Sequence, residues 1–232
     1  MRQKNIKDIE NKLERCPDIL IKSPVGRSGR WRAVFPDDAQ VLEDVPLYLE
    51  LGTGKGEFII ESATRDAEGL YLGIEGQPSV IYRAIQKTNG EVPNGNLKFL
   101  RAYLTAGTSP DAPFTYDMNE IFAQEELSGL YLNFSDPWPK VRHERRRLTS
   151  PDYLNAYARA LKSGSFLRFK TDNDNFFTYS RKQIGQHPTF EIEAVTEDLH
   201  RSIHAKDNIM TEYERKFTNL RQKINFLLAY KK

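Results

Sequence analysis

Buried-strand patterns alternate with amphipathic helical patterns along this chain, and this alternation restricts the fold more than any other feature. The apolar run at 46–51 leads through a glycine-rich turn into a helical stretch at 57–65. Strands that alternate with helices indicate a mostly parallel sheet with helices on both faces. Ligands of such sheets bind outside the carboxyl ends of the strands. The sequence therefore predicts an α/β protein whose functional residues follow its strands.

The later elements repeat this order. We predict further strands at 70–74 with Glu75 closing the strand, 97–100, 130–134, 165–170, 190–195 and 224–230, and helices at 78–87, 150–164 and from about 175. Ser150 is expected to cap the helix at 150–164, and Gly164 is expected to end it. The turn-rich stretch at 105–117 is predicted to be a long loop.

Composition restricts the class of protein. Hydrophobic residues make up 39% of the chain and charged residues 28%, which is typical of globular proteins in water. A single cysteine, the lack of a long apolar run and a polar N-terminus predict a cytoplasmic protein without a disulfide, membrane span or signal peptide. The net charge is only +2, so a nucleic-acid partner has to be argued from where the charges lie. We expect an N-terminal extension over 1–45 and one main domain over 46–232.

The first predicted strand ends in a loop with three alternate glycines, Gly52, Gly54 and Gly56. A phosphate-binding P-loop is not favoured, because Gly56 stands where its Ser or Thr belongs. A dinucleotide loop requires a third glycine where Glu57 stands, which counts against a nicotinamide oxidoreductase. The pattern E-x-G-x-G-x-G, beginning at Glu50, is typical of S-adenosylmethionine (SAM) loops. A glycine-rich turn without a ligand is the alternative.

Two acids favour the cofactor interpretation. Glu50 closes the first strand, where a carboxylate suits the cationic sulfonium and ammonium groups of SAM. Glu75 closes the second strand, where an acid accepts hydrogen bonds from ribose hydroxyls in nucleotide-binding folds. The sequence therefore predicts a SAM site at the ends of these strands.

An acid also follows the fourth strand, in the segment Ser135-Asp136-Pro137-Trp138-Pro139. The two prolines stiffen the chain after Asp136, and Trp138 offers a flat apolar face. A rigid carboxylate beside an aromatic ring suits the binding of a planar base. The alternative is a strand-end turn in which Asp136 is only a cap.

A basic cluster follows this segment at once. Its members are Lys140, Arg142, His143, Arg145, Arg146 and Arg147, and only Glu144 opposes them. A solvated loop is the simpler interpretation of such a run. Its position beside the predicted site favours contact with a phosphate backbone.

Two further polar segments have both a structural and a functional interpretation. Asp172 follows the fifth strand and either caps the next helix or faces the site. The segment Thr211-Glu212-Tyr213-Glu214 has the T-x-x-E spacing of a helix capping box, which by itself favours a cap.

Several motifs together resemble a known enzyme family. LELGTGKG at 49–56, GIE at 73–75, NFSDPWPKVRHERRRL at 133–148, FKTDN at 169–173 and TEYERKF at 211–217 are similar to the bacterial tRNA (guanine-N7)-methyltransferases of the TrmB type. The match runs in order along most of the chain, and its DPWPK-x-R-H segment is highly specific. The resemblance implies a Rossmann-like class I SAM-dependent methyltransferase with a mostly parallel seven-stranded sheet and helices on both faces.

The resemblance also implies an activity and its residues. The activity is methylation of N7 of the guanine at position 46 in the tRNA variable loop, with SAM as donor and without a metal or an obligate protein partner. The implied SAM-binding residues are Glu50, Gly52, Gly54, Gly56 and Glu75, with Asp136 as the catalytic acid beside both ligands. The implied substrate-binding residues are Lys140, Asp172, Thr211, Glu212, Tyr213 and Glu214, while Arg142, His143, Arg145, Arg146 and Arg147 contact RNA. The extension over 1–45 is expected to face the RNA as well.

One position departs from the family pattern. The family usually has Asp or Asn just after the third strand, on the adenine side of the cofactor, and Tyr103 stands there. Asp117, Asn119 or a backbone amide is then expected to make that contact.

Two other functions remain open. A SAM-dependent methyltransferase acting on an exocyclic amine of nucleic acid usually has two adjacent prolines after its acid, whereas Asp136 is followed by Pro137 and Trp138. A non-catalytic RNA-binding module is the second alternative, and the intact glycine loop argues against it.

Overall fold

The structure, a computed structural model, describes residues 6–35, 45–88, 95–107, 112–220 and 222–232. The chain divides into two compact units, Met1–Phe122 and Ala123–Lys232. In the described residues, no helix is long and apolar enough to cross a membrane.

The first unit contains a four-stranded parallel sheet with helices. Its strands are β1 (Leu20–Ile21), β2 (Leu47–Leu51), β3 (Leu70–Glu75) and β4 (Leu97–Arg101), and its longer helices are α1 (Ile9–Glu14), α2 (Glu57–Arg65) and α3 (Pro78–Lys87). The strand order is β1, β4, β3, β2, and each of these pairings is parallel. The predicted bounds of α2 and α3 are confirmed.

Both long helices of this unit bury one apolar face. In α2 this face includes Phe58, Ile59 and Ala63, and in α3 it includes Ile81 and Ala84. Each large side chain buried in this way stabilises the fold by about 1.5–3 kcal/mol. Ile59 and Ala63 of α2 and Ile81 and Ala84 of α3 thus share one hydrophobic core with Tyr71 of β3.

The N-terminal segment packs into the first unit. Leu13 and Leu20 belong to its hydrophobic core. Trp31, in a short 3₁₀ helix, is completely buried and donates its ring N–H to the Ile121 carbonyl at 2.6 Å. The segment 6–35 therefore contributes buried side chains to this unit, while 1–5 and 36–44 lie outside the described residues. An RNA-facing role for 1–45 stays a prediction.

The stretch predicted as a long loop contains regular structure. The strands β5 (Tyr103–Thr105) and β6 (Thr115–Asp117) pair in parallel, and the short helix α4 (Met118–Ile121) follows. The loop prediction for 105–117 was wrong at Thr105 and at 115–117, which belong to these strands, because three-residue strands are too short to show a periodic pattern. Residues 108–111 lie outside the described residues.

The second unit holds a mixed sheet. Its strands are β7 (Leu127–Asn133), β8 (Leu161–Thr171), β9 (Phe190–Thr196) and β10 (Asn225–Lys231), and its helices are α5 (Pro151–Ala160), α6 (Asp174–Gln186) and α7 (Glu212–Asn219). The strand order is β7, β8, β10, β9. The β7–β8 pairing is parallel, while β10 is antiparallel to both of its neighbours.

The two sheet regions together contain eight described strands, where seven were predicted. The additional strand is β1, which has only two residues and pairs with β4. Two residues give no alternation that a sequence pattern can show.

The predicted helix at 150–164 was also too long. The helix ends at Ala160, and Leu161 begins β8 by pairing with Leu127. Gly164 has a φ of 77° but lies within β8, so it does not end the helix. Ser150 stands at the N-cap, yet its hydroxyl donates to the Arg145 carbonyl at 3.2 Å and makes no cap bond. Leu161 extended the apolar helical spacing by chance, since its burial comes from the strand.

Candidate functional site

Three glycines with left-handed backbone build the loop between β2 and α2. The φ angles of Gly52, Gly54 and Gly56 are 75°, 57° and 77°, a region that other residues rarely adopt. A side chain at Gly56 would also come within 2.8 Å of the Ala84 Cβ. At Gly52 and Gly54 an added Cβ would meet nothing within 4 Å. The loop therefore presents bare backbone to open space.

The carboxylate of Glu75 holds this loop against the end of β3. It accepts hydrogen bonds from the Gly54 amide at 3.2 Å and from the Gln77 amide at 2.8 Å. The Thr53 amide donates to the Ile74 carbonyl at 3.1 Å. Glu75 thus lies beside the glycine loop, where the sequence placed it.

The end of β2 has the polar groups that a cofactor such as SAM requires. Glu50 is buried, with 2% of its surface exposed, and lies opposite Gly73 of β3. The hydroxyl oxygen of Thr53 is buried and has no hydrogen-bond partner in the described part of the chain. An unsatisfied buried polar group costs about 1–3 kcal/mol, which a polar ligand would offset. Two carboxylates and an open backbone therefore fit the ammonium and ribose groups of SAM.

The position that was expected to face the adenine carries an aromatic ring. A side chain at Gly76 would overlap the ring of Tyr103, so Tyr103 lies directly against the chain after Glu75. Burial and the Glu75 carboxylate raise the pKa of the Tyr103 hydroxyl. Asp117, one of the predicted substitutes, caps α4 by accepting from the Asn119 amide at 2.9 Å. Local backbone bonds thus already engage Asp117.

Asp136 lies exposed in the turn after β7. Phe134, two positions before Asp136, has a φ angle of 54°, and Trp138, two positions after it, has a φ angle of 40°. Such left-handed conformations cost about 1–3 kcal/mol each in non-glycine residues and persist only where the surroundings impose them. The Phe134 amide donates to the Lys170 carbonyl at 2.9 Å, which fixes the start of the turn.

Arg147 fixes the second half of the turn. Its Nε donates to the Pro137 carbonyl at 3.0 Å, and a terminal nitrogen donates to the Trp138 carbonyl at 3.2 Å. The guanidinium also lies over the Tyr179 ring, 4.2 Å from its centroid. The turn that carries Asp136 is therefore held at both ends.

Two other members of the basic cluster, His143 and Arg146, contact the Trp138 ring. A 3₁₀ helix spans Val141–Arg146 and leaves four cations exposed, namely Lys140, Arg142, Arg145 and Arg146. The guanidinium of Arg146 lies 5.0 Å from the Trp138 ring centroid, and the His143 ring meets the same indole edge-on at 5.7 Å. Positive charge and an aromatic face thus occur together in this unit.

Tyr213 lies beside Asp172, another predicted substrate residue of this unit. Its hydroxyl donates to Asp172 over a long 3.5 Å, and its ring centroid lies 5.0 Å from that of Phe134. Burial, the Asp172 carboxylate and the more distant Asp136 carboxylate raise the pKa of Tyr213 to about 12. Tyr213 therefore stays protonated, as a donor, at neutral pH.

Side chains cap the N-termini of both α6 and α7. Asn173, and not Asp172, caps α6 by accepting from the Phe176 amide at 2.8 Å. The Asp172 carboxylate does not cap α6 and lies beside the Tyr213 hydroxyl. Thr211 caps α7 by accepting from the Glu214 amide at 3.0 Å, so the capping interpretation of this segment is confirmed.

Glu214 lies at the centre of a buried polar network. Its carboxylate accepts from Lys170 at 2.9 Å, from Asn208 at 2.7 Å and pairs with the His200 ring at 2.7 Å. Lys170 also donates to the side-chain oxygen of Asn208 and to the Ile209 carbonyl. Burial would raise the pKa of Glu214, but the Lys170 ammonium and the hydrogen bonds outweigh it and lower that pKa.

Comparison with known proteins assigns the family. Residues 44–227 match a family model described as "Putative methyltransferase". A tRNA (guanine-N(7)-)-methyltransferase of Geobacillus thermodenitrificans is 41% identical over 219 residues, which cover 94% of this chain and 92% of that protein. The protein of the same name from Bacillus subtilis is 40% identical over a region that covers 89% of this chain and 88% of that protein. This chain belongs to the tRNA (guanine-N7)-methyltransferase family.

Solved structures of other methyltransferases share the fold of this family member. The 16S rRNA methyltransferase KamB aligns with a TM-score of 0.54 over 85% of this chain and 95% of that chain, at 16% identity. An antibiotic-related methyltransferase aligns with a TM-score of 0.53 over 81% of this chain and 88% of that chain, at 18% identity. The predicted Rossmann-like methyltransferase fold is confirmed.

No group of three or more His, Cys, Asp or Glu side chains suited to a metal occurs in the described ranges.

The buried network around Glu214 was not expected from the sequence of this tRNA (guanine-N7)-methyltransferase family member. The pairing of Glu214 with Lys170, Asn208 and His200 was not predicted, although a lysine at the end of the apolar strand 165–170 is a signal of a buried charge partner. Of the predicted segment 211–214, Tyr213 is exposed and Glu214 is completely buried. Its residues therefore lie in two different environments.

Proposed function

We propose that this chain transfers the methyl group of SAM to N7 of guanine in tRNA, at position 46 of the variable loop, in the cytoplasm. The observation that carries the proposal is the rigid turn that presents Asp136 beside Trp138. It occurs in a chain about 40% identical to proteins named for this reaction. A carboxylate and an aromatic face are the groups that hold an unstacked base.

The first unit supplies the cofactor residues of this proposal. SAM, when bound, supplies a methyl group on a cationic sulfonium. The buried Glu50 offsets positive charge, and Glu75 accepts hydrogen bonds from ribose hydroxyls. The amides of the loop with Gly52, Gly54 and Gly56 and the unsatisfied Thr53 hydroxyl complete the set.

Asp136 acts on the guanine. N7 has an in-plane lone pair, so no proton has to leave before this atom attacks a methyl group. The base gains positive charge as the new bond forms. A carboxylate that accepts hydrogen bonds from N1–H and the exocyclic amine stabilises this charge. Correct placement of the two reactants contributes up to about 7–11 kcal/mol more.

The remaining substrate residues support this arrangement in two ways. Asp172, oriented by Tyr213, shares the acceptor role at the purine edge, with Lys140 and Glu212 at the exposed surface. Thr211 and Glu214 act from within, since the cap and the buried network keep Tyr213 in place. The exposed Arg142, Arg145 and Arg146, with His143, contact phosphates and position the tRNA.

The test is methyl transfer to two transcripts of one tRNA, with G or A at position 46. We expect incorporation only with G46, and nuclease digestion should release N7-methylguanosine, which carries a positive charge. Equal incorporation in both transcripts would reject the position. A neutral product, methylated at an exocyclic amine, would identify the rival methyltransferase instead. Binding of tRNA without any methyl transfer would indicate the non-catalytic module.

A further inference from the structure

Arg147 differs from its neighbours in the basic cluster by the direction of its guanidinium. Two of its nitrogens donate to the carbonyl groups of Pro137 and Trp138, at 3.0 Å and 3.2 Å. Its planar group lies over the Tyr179 ring. The two arginines before it are exposed, whereas Arg147 is partly buried. Its charge is thus turned toward the protein.

The two carbonyl groups belong to the residues directly after Asp136. Trp138 has a φ of 40°, a conformation that needs support from its surroundings. A guanidinium presents its donors in a rigid fork, so a single side chain fixes two successive carbonyl groups. Pro137 removes one backbone rotation from the same stretch. Together these contacts hold the backbone directly after Asp136.

We propose that Arg147 is a positioning residue for Asp136 and not a contact to the phosphate backbone. The inference rests on the proposed function, in which Asp136 must meet one edge of a guanine. A displacement of about 1 Å in such a site costs about 10²-fold in rate. The basic cluster therefore has two tasks, since its exposed arginines bind RNA and Arg147 holds the acid.

The first experiment separates these tasks by kinetics. Arg147→Ala, Arg147→Lys, Arg145→Ala and Arg181→Ala are compared, Arg181 being an exposed arginine of α6. For Arg147→Ala we expect the single-turnover rate at saturating SAM and tRNA to fall about 10²-fold, with tRNA affinity within about threefold of wild type. Arg147→Lys keeps the charge but loses the fork, so its rate should fall by about tenfold or more.

The comparison variants set the scale. Arg145→Ala should weaken tRNA binding and reduce the slope of log affinity against log salt by about one. Arg181→Ala should match wild type in both measurements. A wild-type rate for Arg147→Lys, or a loss for Arg147→Ala that is confined to tRNA affinity, would overturn the inference.

A second measurement needs neither tRNA nor SAM. The chain has two tryptophans, and Trp31 is completely buried, so acrylamide quenching of fluorescence reports mainly on Trp138. Release of the turn in Arg147→Ala should increase quenching, while Arg181→Ala should not change it. Unchanged quenching in Arg147→Ala would show that the turn stands without this side chain, which contradicts the inference. If Arg147→Ala does not fold by circular dichroism, the same two readouts on Arg147→Lys decide. A wild-type protein that methylates no guanine would instead reject the proposed function, and the quenching result would still stand.

Discussion

The ammonium of Lys170 lies 2.9 Å from the carboxylate of Glu214, and both side chains are completely buried. This pair joins the end of β8 to the first turn of α7, within one unit of the chain. Asp172 follows β8 directly, and Tyr213 precedes Glu214. The Lys170–Glu214 pair therefore helps to hold Asp172 and Tyr213 in contact with each other. A buried ion pair is not always more stable than an apolar pair, but the loss of one partner leaves an uncompensated charge.

Removal of one partner should therefore destabilise the second unit strongly. We expect Lys170→Met and Glu214→Gln each to lower the free energy of unfolding by about 3–5 kcal/mol. The double variant Lys170→Met/Glu214→Leu should lose clearly less than the sum, because no charge remains buried. Urea unfolding followed by circular dichroism gives these values. Glu125→Gln is the control, since it removes an exposed pair with Lys231 at 3.4 Å and should cost at most about 1 kcal/mol. A Lys170→Met variant as stable as wild type would contradict the assignment.

The same pair predicts a pH dependence of stability. The pKa of Glu214 is lowered in the folded state from its ordinary value of 4.5, so folding favours the ionised carboxylate. Its stabilisation is complete above pH 4.5 and is lost as the pH falls through the lowered folded-state pKa. The difference in unfolding free energy between wild type and Glu214→Gln should therefore be constant near neutral pH and shrink below pH 4.5. The Lys170 ammonium and the His200 ring both contact this carboxylate, so His200→Asn is the background in which the effect of Glu214 is isolated. A difference that grows on acidification would have the wrong sign.

Loss of charge at Asp136 should affect chemistry more than binding. Asp136→Asn retains the shape of the side chain but loses the carboxylate that we propose stabilises the cationic purine. We expect the single-turnover rate to fall by about 10²-fold or more, as for the loss of one electrostatic stabiliser. Asp152→Asn, at an exposed acid in the first turn of α5, is the matched control and should retain the wild-type rate. A nearly normal rate in the Asp136 variant would remove this residue from the mechanism.

The cofactor assignment of Glu75 can be tested without tRNA. Glu75→Gln replaces a charged acceptor by a neutral one, both for the Gly54 amide and for the ribose hydroxyls that we propose it binds. Titration calorimetry should show a SAM affinity about tenfold to a hundredfold weaker, the range expected for loss of a charged acceptor. Glu61→Gln, on the exposed side of α2, removes only a surface pair with Arg65 and should bind SAM as wild type does. Equal affinity in both variants would exclude Glu75 from the SAM site.

The residues were sufficient to predict seven of the eight strands in the two sheet regions, the helices α2 and α3, the glycine loop and the acids at the strand ends. Local signals suffice for these features, because glycine spacing sets backbone conformation and apolar periodicity sets helix or strand. The bounds of α2 and α3 were predicted to the residue for this reason. The match of five ordered motifs also pointed to the family before any geometry was known.

Tertiary contacts decided the remainder. Leu161 had the spacing of a helix but joined a strand, because its partner Leu127 lies far away in the chain. The charge of Lys170 became buried because Glu214, 44 residues later, reaches it. Periodicity reports which face of an element is apolar, but it does not report which donor meets which acceptor across the fold. The division of labour between Arg147 and its neighbours has the same origin, since only the folded turn brings two carbonyl groups within reach of one guanidinium.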